Sequence, residues 1–86
     1  MLENLKIDLG ITGTRYDDRL TEYLNYAQAK ITEEGVTLDT SDIKDSNLIV
    51  MYAAWLWRKR ENGEGMPRMM RYALNNRIMS EKAAVE

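Results

Sequence analysis

The sequence predicts an all-α protein: a small bundle of a short N-terminal helix, two longer helices and a C-terminal helix, with a long loop in the middle. Apolar residues recur at helical spacing in four segments, and glycines and one proline separate those segments. Residues 48–57 form an unbroken apolar run. Because the chain has only 86 residues, we expect a single domain that spans 1–86.

The first two helices are predicted before Gly35. Three leucines share one face of the short first helix: Leu2, Leu5 and Leu9. Gly10 ends it, because glycine readily adopts the backbone conformation of a helix terminus. Residues 14–17 resemble a capping box for the second helix, and Asp17 and Asp18 lie where the positive end of the helix dipole favours carboxylates. Its apolar stripe consists of Tyr16, Leu20, Tyr23, Leu24, Ala27 and Ile31.

The long middle loop is predicted at residues 36–45, where Thr, Ser and Asp are mixed with isolated apolar residues. Three residues are alternative caps for the third helix: Ser41, Asp42 and Asp45. That helix includes the apolar run and continues to about Glu61. The Asn-Gly-Glu-Gly segment at 62–65 ends it.

A helix that is apolar on every side must be covered on several sides. A domain of this size buries only about 60 to 65 % of its unfolded surface, so part of 48–57 is predicted to meet a partner. Trp55 and Trp57 lie about 200° apart on a helix, and we expect one of them at an interface. A membrane span would need about 20 apolar residues, whereas this run stops at the cations of 58–60.

The fourth helix is predicted to begin near Pro67, because proline suits a first helical turn. Its packing stripe consists of Met69, Met70, Ala73, Leu74 and Ile78. The tail 81–86 is expected to fray.

Charge is divided unevenly along the chain. Residues 1–45 contain five Lys/Arg against ten Asp/Glu, or -5, and residues 46–86 contain seven against four, or +3. This division is compatible with a nucleic-acid surface, with acidic and basic patches that meet head to tail in a ring, or with solvated helix faces.

The predicted subunit or partner interface consists of Asp17, Asp18, Trp55, Trp57, Arg68 and Arg71. The predicted DNA-channel or phosphate contacts are Arg58, Lys59, Arg60 and Arg77. For 58–60, the alternative is that cations favour the negative end of the helix dipole.

Catalytic, metal-binding and cofactor-binding residues are not predicted. Without His or Cys, the usual zinc sites, thiol nucleophiles and Ser-His-Asp arrangements are excluded. Adjacent acidic pairs such as Asp17 with Asp18, or Glu33 with Glu34, point about 100° apart on a helix and do not converge on one atom. We therefore expect neither enzymatic activity nor a cofactor.

Four segments resemble a known family. They are Leu5-Lys6 with Leu9-Gly10-Ile11, Tyr16-Asp17-Asp18 with Leu20, Ala27 with Ile31, and the helix from Pro67 to Arg77 after an apolar helix like that of 48–57. In these features the chain resembles the small head-tail connector, or adaptor, proteins of long-tailed bacteriophages, which are also labelled DNA-packaging proteins.

The resemblance implies a structural virion protein that forms a homo-oligomeric ring beneath the portal, prolongs the DNA channel and connects the head to the tail. Its expected partners are the portal protein, the next adaptor or tail protein and passing DNA, touched non-specifically, but not a membrane. The expected location is the head-tail junction of the virion, after synthesis in the host bacterial cytoplasm from a phage or prophage.

The alternative is a small helical DNA-binding regulator in which the helix after Gly65 reads a groove. The acidic total and the absence of a short helix-turn-helix join argue against it.

Overall fold

The protein consists of four α-helices, seen in a computed structural model that describes residues 1–63 and 65–85, without the side chains of 61, 62 and 82–85. Helix α1 spans Leu2–Leu9, α2 spans Asp17–Glu33, α3 spans Ile43–Asn62 and α4 spans Arg68–Val85. The described residues contain no strand. The all-α prediction is confirmed.

Helix α3 is the central element, and α1, α2 and α4 all pack against it. Its apolar run is therefore buried on most sides. The core consists of Leu5, Leu20, Leu24, Ala27, Ile31, Val36, Leu48, Ile49, Val50, Tyr52, Ala53, Ala54, Trp57, Met70 and Leu74. Met51 of α3 stays exposed, and Trp55 and Leu56 are half-buried. The helix thus keeps some apolar surface uncovered, as its composition predicts.

Helix α2 begins at Asp17, and the capping box predicted at 14–17 is wrong. Tyr16 occupies the N-cap position, and no side chain there accepts a hydrogen bond from the helix. The turn is closed by the backbone instead, since the Asp17 amide donates to the Thr14 carbonyl at 3.2 Å. Asp17 and Asp18 lie in the first turn, as predicted. The rest of the predicted α2 stripe faces inward: Leu20, Leu24, Ala27 and Ile31 are buried and Tyr23 is half-buried. Tyr16 precedes the helix and is 40 % exposed, so its predicted place in the stripe is wrong.

The connection between α2 and α3 comprises residues 34–42, and α3 starts before the end of the predicted loop. Of the three alternative caps, Asp42 is used: its carboxylate accepts a hydrogen bond from the Lys44 amide at 2.8 Å. Polar groups of the connection itself and Asp45 of α3 hold it in place. The Asp39 carboxylate accepts from the amide and hydroxyl of Ser41, and the Asp39 amide donates to Asp45 at 3.0 Å.

Helix α4 is antiparallel to α3 and packs on it through Met70 and Leu74, both buried. Met69 does not belong to this face: it is 75 % exposed, so its predicted place in the packing stripe is wrong. Consecutive helical residues point about 100° apart, and burial of Met70 turns its neighbour Met69 outward. The helix extends to Val85. The side chains that follow Glu81 and all of Glu86 lie outside the described residues, so the frayed tail at 81–86 stays a prediction.

Candidate subunit interface and cationic surface

Ion pairs within the subunit join the acidic and basic halves of the chain. Arg58 reaches Asp8 at 3.4 Å, Arg71 reaches Glu34 at 3.5 Å and Arg77 reaches Asp45 at 2.8 Å. The uneven charge distribution therefore serves the fold in part. The charged residues of the predicted sites that take no part in such ion pairs are the candidates for contacts between molecules.

Arg77 is held by three groups of the same subunit. Its Nε donates to Asp45 at 2.8 Å, one terminal nitrogen donates to Glu81 at 2.9 Å and the other donates to the Thr37 carbonyl at 2.9 Å. Asp45 is only 3 % exposed. The Arg77 guanidinium lowers the pKa of Asp45, and the two carboxylates raise the pKa of Arg77. Arg77, predicted as a DNA contact, thus joins α4 to the start of α3 and to the preceding connection.

The other three predicted DNA contacts lie near the C-terminal end of α3, and their side chains contact different parts of the subunit. Arg58 donates to the Asp8 carbonyl at 3.1 Å, which links α3 to α1. The ammonium of Lys59 lies 4.9 Å from the ring centre of Trp55, and the guanidinium of Arg60 lies 4.1 Å from that of Trp57. All three side chains are exposed. The structure does not gather them into one phosphate-binding cluster, and each contacts its own subunit.

The two tryptophans have different surroundings. Trp57 is buried and meets Tyr16 and Tyr23 edge to face, with ring centres 5.8 and 5.3 Å away. Trp55 is half-buried and lines a groove of about 180 Å³ together with Asp8, Met51, Ala54, Arg58, Pro67 and Met70. Its indole nitrogen donates to no group among the described residues. Of the two, Trp55 is the one with surface left for a partner.

In each of the two predicted charged pairs, one residue has an ion pair with a described residue of its own subunit and the other does not. Asp17 lies 2.9 Å from the Lys6 ammonium but accepts no hydrogen bond at this oxygen from a described residue, and the ammonium also donates to the Gly13 carbonyl. Asp18 is exposed. Arg71 is paired with Glu34, whereas Arg68 is exposed and has no ion pair with a described residue. Asp18 and Arg68 are therefore the members that remain available to a partner.

Two apolar surfaces are not among the sites predicted from the sequence. The first, here called the α4 ridge, consists of Met69, Tyr72 and Met79, which are 75, 55 and 64 % exposed. The second, the α2–α3 groove, has a volume of about 320 Å³ and is lined by Glu22, Tyr23, Tyr26 and Leu56. For the α4 ridge, the sequence does contain a signal: Tyr72 and Met79 are seven residues apart, which places both on one helical face.

The family model that matches this chain is that of the phage gp6-like head-tail connector protein, over residues 1–82. The chain belongs to this family. The match confirms the resemblance seen in the sequence. No curated protein and no solved structure matches the chain.

As a head-tail connector, the protein has a structural role in the phage particle. In the part of the chain that the structure describes, no cluster of three or more His, Cys, Asp or Glu side chains is arranged to hold a metal ion. No helix in that part is both long and apolar enough to span a membrane. The features that distinguish its surface are the α4 ridge, the α2–α3 groove and the outward charges Asp18 and Arg68.

Proposed function

We propose that this connector forms a homo-oligomeric ring beneath the portal, prolongs the DNA channel and presents a surface to the next adaptor or tail protein. The observation that supports the proposal most directly is the family match over residues 1–82. We place the assembled protein at the head-tail junction of the virion, after synthesis in the cytoplasm of a bacterial host from a phage or prophage genome.

The surface chemistry is compatible with assembly. A chain of this size leaves apolar area that a partner can cover, and here that area includes the α4 ridge and part of α3. Large exposed apolar side chains rimmed by charges are typical of protein interfaces. A closed ring needs two different patches on each subunit, each of which meets the other on its neighbour.

Native mass spectrometry of the full chain, alone and with the portal protein of the same phage, tests the proposal. We expect rings of roughly a dozen subunits, by the family resemblance and by the closure that head-to-tail contacts require. Negative-stain electron microscopy of the same samples should show a central channel. A strict monomer at every concentration that also fails to bind the portal would refute the proposal.

DNA binding separates a connector from the regulator that the sequence leaves as an alternative. If DNA only passes through a channel, binding to free duplex should be weak, independent of sequence and lost as salt rises, because only phosphates are contacted. Mobility shifts at increasing salt measure this. Tight binding to one defined site at physiological salt would favour the regulator.

A further inference from the structure

We infer that the α4 ridge of one subunit docks into the α2–α3 groove of the next copy, with Arg68 of the first placed against Asp18 and Glu22 of the second. This inference rests on the proposed ring and specifies which surfaces of the subunit meet. It assigns an occupant to each of the two surfaces, namely a second copy of this chain.

The α4 ridge faces away from the subunit's own core. Met70 and Leu74 are buried against α3, and the ridge residues occupy the other side of the same helix. Tyr72 follows Arg68 by four residues, so the cation and the tyrosine lie one turn apart on the same face. The ridge is thus an apolar strip with a positive charge at its N-terminal end.

The α2–α3 groove has matching properties. Tyr23, Tyr26 and Leu56 supply apolar walls, and Tyr26 is 51 % exposed. Asp18, Glu22 and Tyr26 follow each other at steps of four residues and therefore lie along one face of α2. The groove is thus an apolar slot with carboxylates at the N-terminal end of α2.

Charge complementarity fixes the pairing of the two surfaces. Among the described residues, the ion pair of Glu22 is a long one, 3.9 Å to Arg19, and both side chains are well exposed. Arg68 is not ion-paired to a described residue. If α4 of one subunit runs parallel to α2 of the next, placing Arg68 beside Asp18 and Glu22 puts Tyr72 of the ridge next to Tyr26 of the groove, one turn further along each helix. Three other cations of the basic half offer a poorer match, because Arg58, Arg71 and Arg77 are already paired within their own subunit.

Two different patches that bind each other make a head-to-tail contact, and such contacts close into rings when the rotation allows. A contact between two ridges would instead be isologous and would stop at a dimer. The chain provides both halves of the head-to-tail contact. In a ring, the groove of each subunit would receive the ridge of one neighbour, and its own ridge would lie in the groove of the other neighbour.

Disulfide crosslinking tests the contact with little background, because the chain contains no cysteine. Single variants Tyr26→Cys and Tyr72→Cys are prepared in the full chain, mixed and oxidised. We expect crosslinked dimers from the mixture, no crosslink from either variant alone, and a ladder of higher species from the double variant. Ile43→Cys supplies the matched control: Ile43 is an exposed apolar residue on α3 outside both surfaces, and it should not crosslink to Tyr72→Cys.

A charge exchange provides a second readout that keeps both tyrosines. Arg68→Glu or Glu22→Arg alone should reduce the ring signal in native mass spectrometry, and mixing the two variants should restore it in part. If the cysteine variants fail to assemble, these variants decide the matter.

The outcomes distinguish this inference from the proposed function. Rings that form normally, give no crosslink between 26 and 72 and tolerate both charge reversals would overturn the inference and leave the ring intact. A crosslink from Tyr72→Cys alone would also overturn it, since it would show ridge against ridge. A wild-type chain that never forms rings, with or without portal, would refute the proposed function itself.

Discussion

Arg77 and Asp45 form the contact that ties the C-terminal helix to the rest of the subunit. The guanidinium Nε lies 2.8 Å from the Asp45 carboxylate, and the side chains are 25 and 5 % exposed. Asp45 also accepts a hydrogen bond from the Asp39 amide. One buried carboxylate thus holds both α4 and the connection before α3. Since α4 also presents the ridge, this pair positions a surface that we assign to subunit contact.

Removal of the Asp45 carboxylate should destabilise the fold. We expect Asp45→Ala to lower the free energy of unfolding by about 2 to 3 kcal/mol, because it leaves Arg77 and the Asp39 amide without their buried acceptor. Urea unfolding followed by circular dichroism measures the change. Glu33→Gln is the matched control: it removes an exposed carboxylate paired with Lys30 at 3.4 Å and should change stability by less than about 0.5 kcal/mol. Equal effects of the two substitutions would contradict the role assigned to Asp45.

Stability should fall in acid because of the same residue. Arg77 lowers the pKa of Asp45 in the folded protein, so the unfolded chain takes up a proton at higher pH than the folded chain. The stabilisation is fully present above the ordinary Asp pKa of about 3.9 and is lost as the pH falls through the lower folded pKa. Urea unfolding across this range should show the loss in the wild type.

The variant Asp45→Asn is the control for this acid dependence. It cannot ionise at 45, so its stability should decline less steeply below about pH 4 than that of the wild type. Asp39 and Glu81 also have lowered pKa values, through hydrogen bonds from Ser41 and Arg77, and they remain in the variant. Some acid dependence should therefore persist. Identical slopes for the two proteins would show that Asp45 does not contribute.

The helices could be predicted from the sequence, whereas the pairing of charges could not. The leucines of α1, the stripe of α2 and the apolar run of α3 follow from periodicity, which depends on residues close in the chain. Arg77 and Asp45 are 32 residues apart, and their contact depends on how α4 packs on α3. The same packing decided that Met70 faces inward and Met69 outward, although both are apolar. Local patterns therefore identify the elements, and the orientation of each helix decides which charges remain for partners.

The tryptophans should differ in their importance for folding. Trp57 is 9 % exposed and packs between Tyr16 and Tyr23, so Trp57→Ala should cost about 3 to 5 kcal/mol. Trp55→Ala should cost clearly less, because Trp55 is only half-buried. Urea unfolding compares the two, and Trp57→Phe serves as a milder variant if Trp57→Ala does not fold. A larger loss for Trp55→Ala would contradict the core position of Trp57.

Asp17 and Asp18 provide a test that separates folding from assembly with two neighbouring carboxylates. Both lie in the first turn of α2, so a change of either to Lys loses the same favourable interaction with the helix dipole, about 0.3 to 1 kcal/mol. Of the two, Asp17 alone has an ion pair with a described residue, Lys6 at 2.9 Å. We therefore expect Asp17→Lys to be the more destabilising in thermal unfolding, because the new cation faces Lys6. Asp18→Lys should fold nearly as well as the wild type but should weaken ring formation, because Asp18 lies at the acidic end of the α2–α3 groove.

Adding Arg68→Glu to Asp18→Lys should recover part of the assembly, whereas adding Arg71→Glu should not, since Arg71 already pairs with Glu34. If Asp17→Lys and Asp18→Lys weakened assembly equally at equal stability, the division into an inward and an outward carboxylate would be wrong.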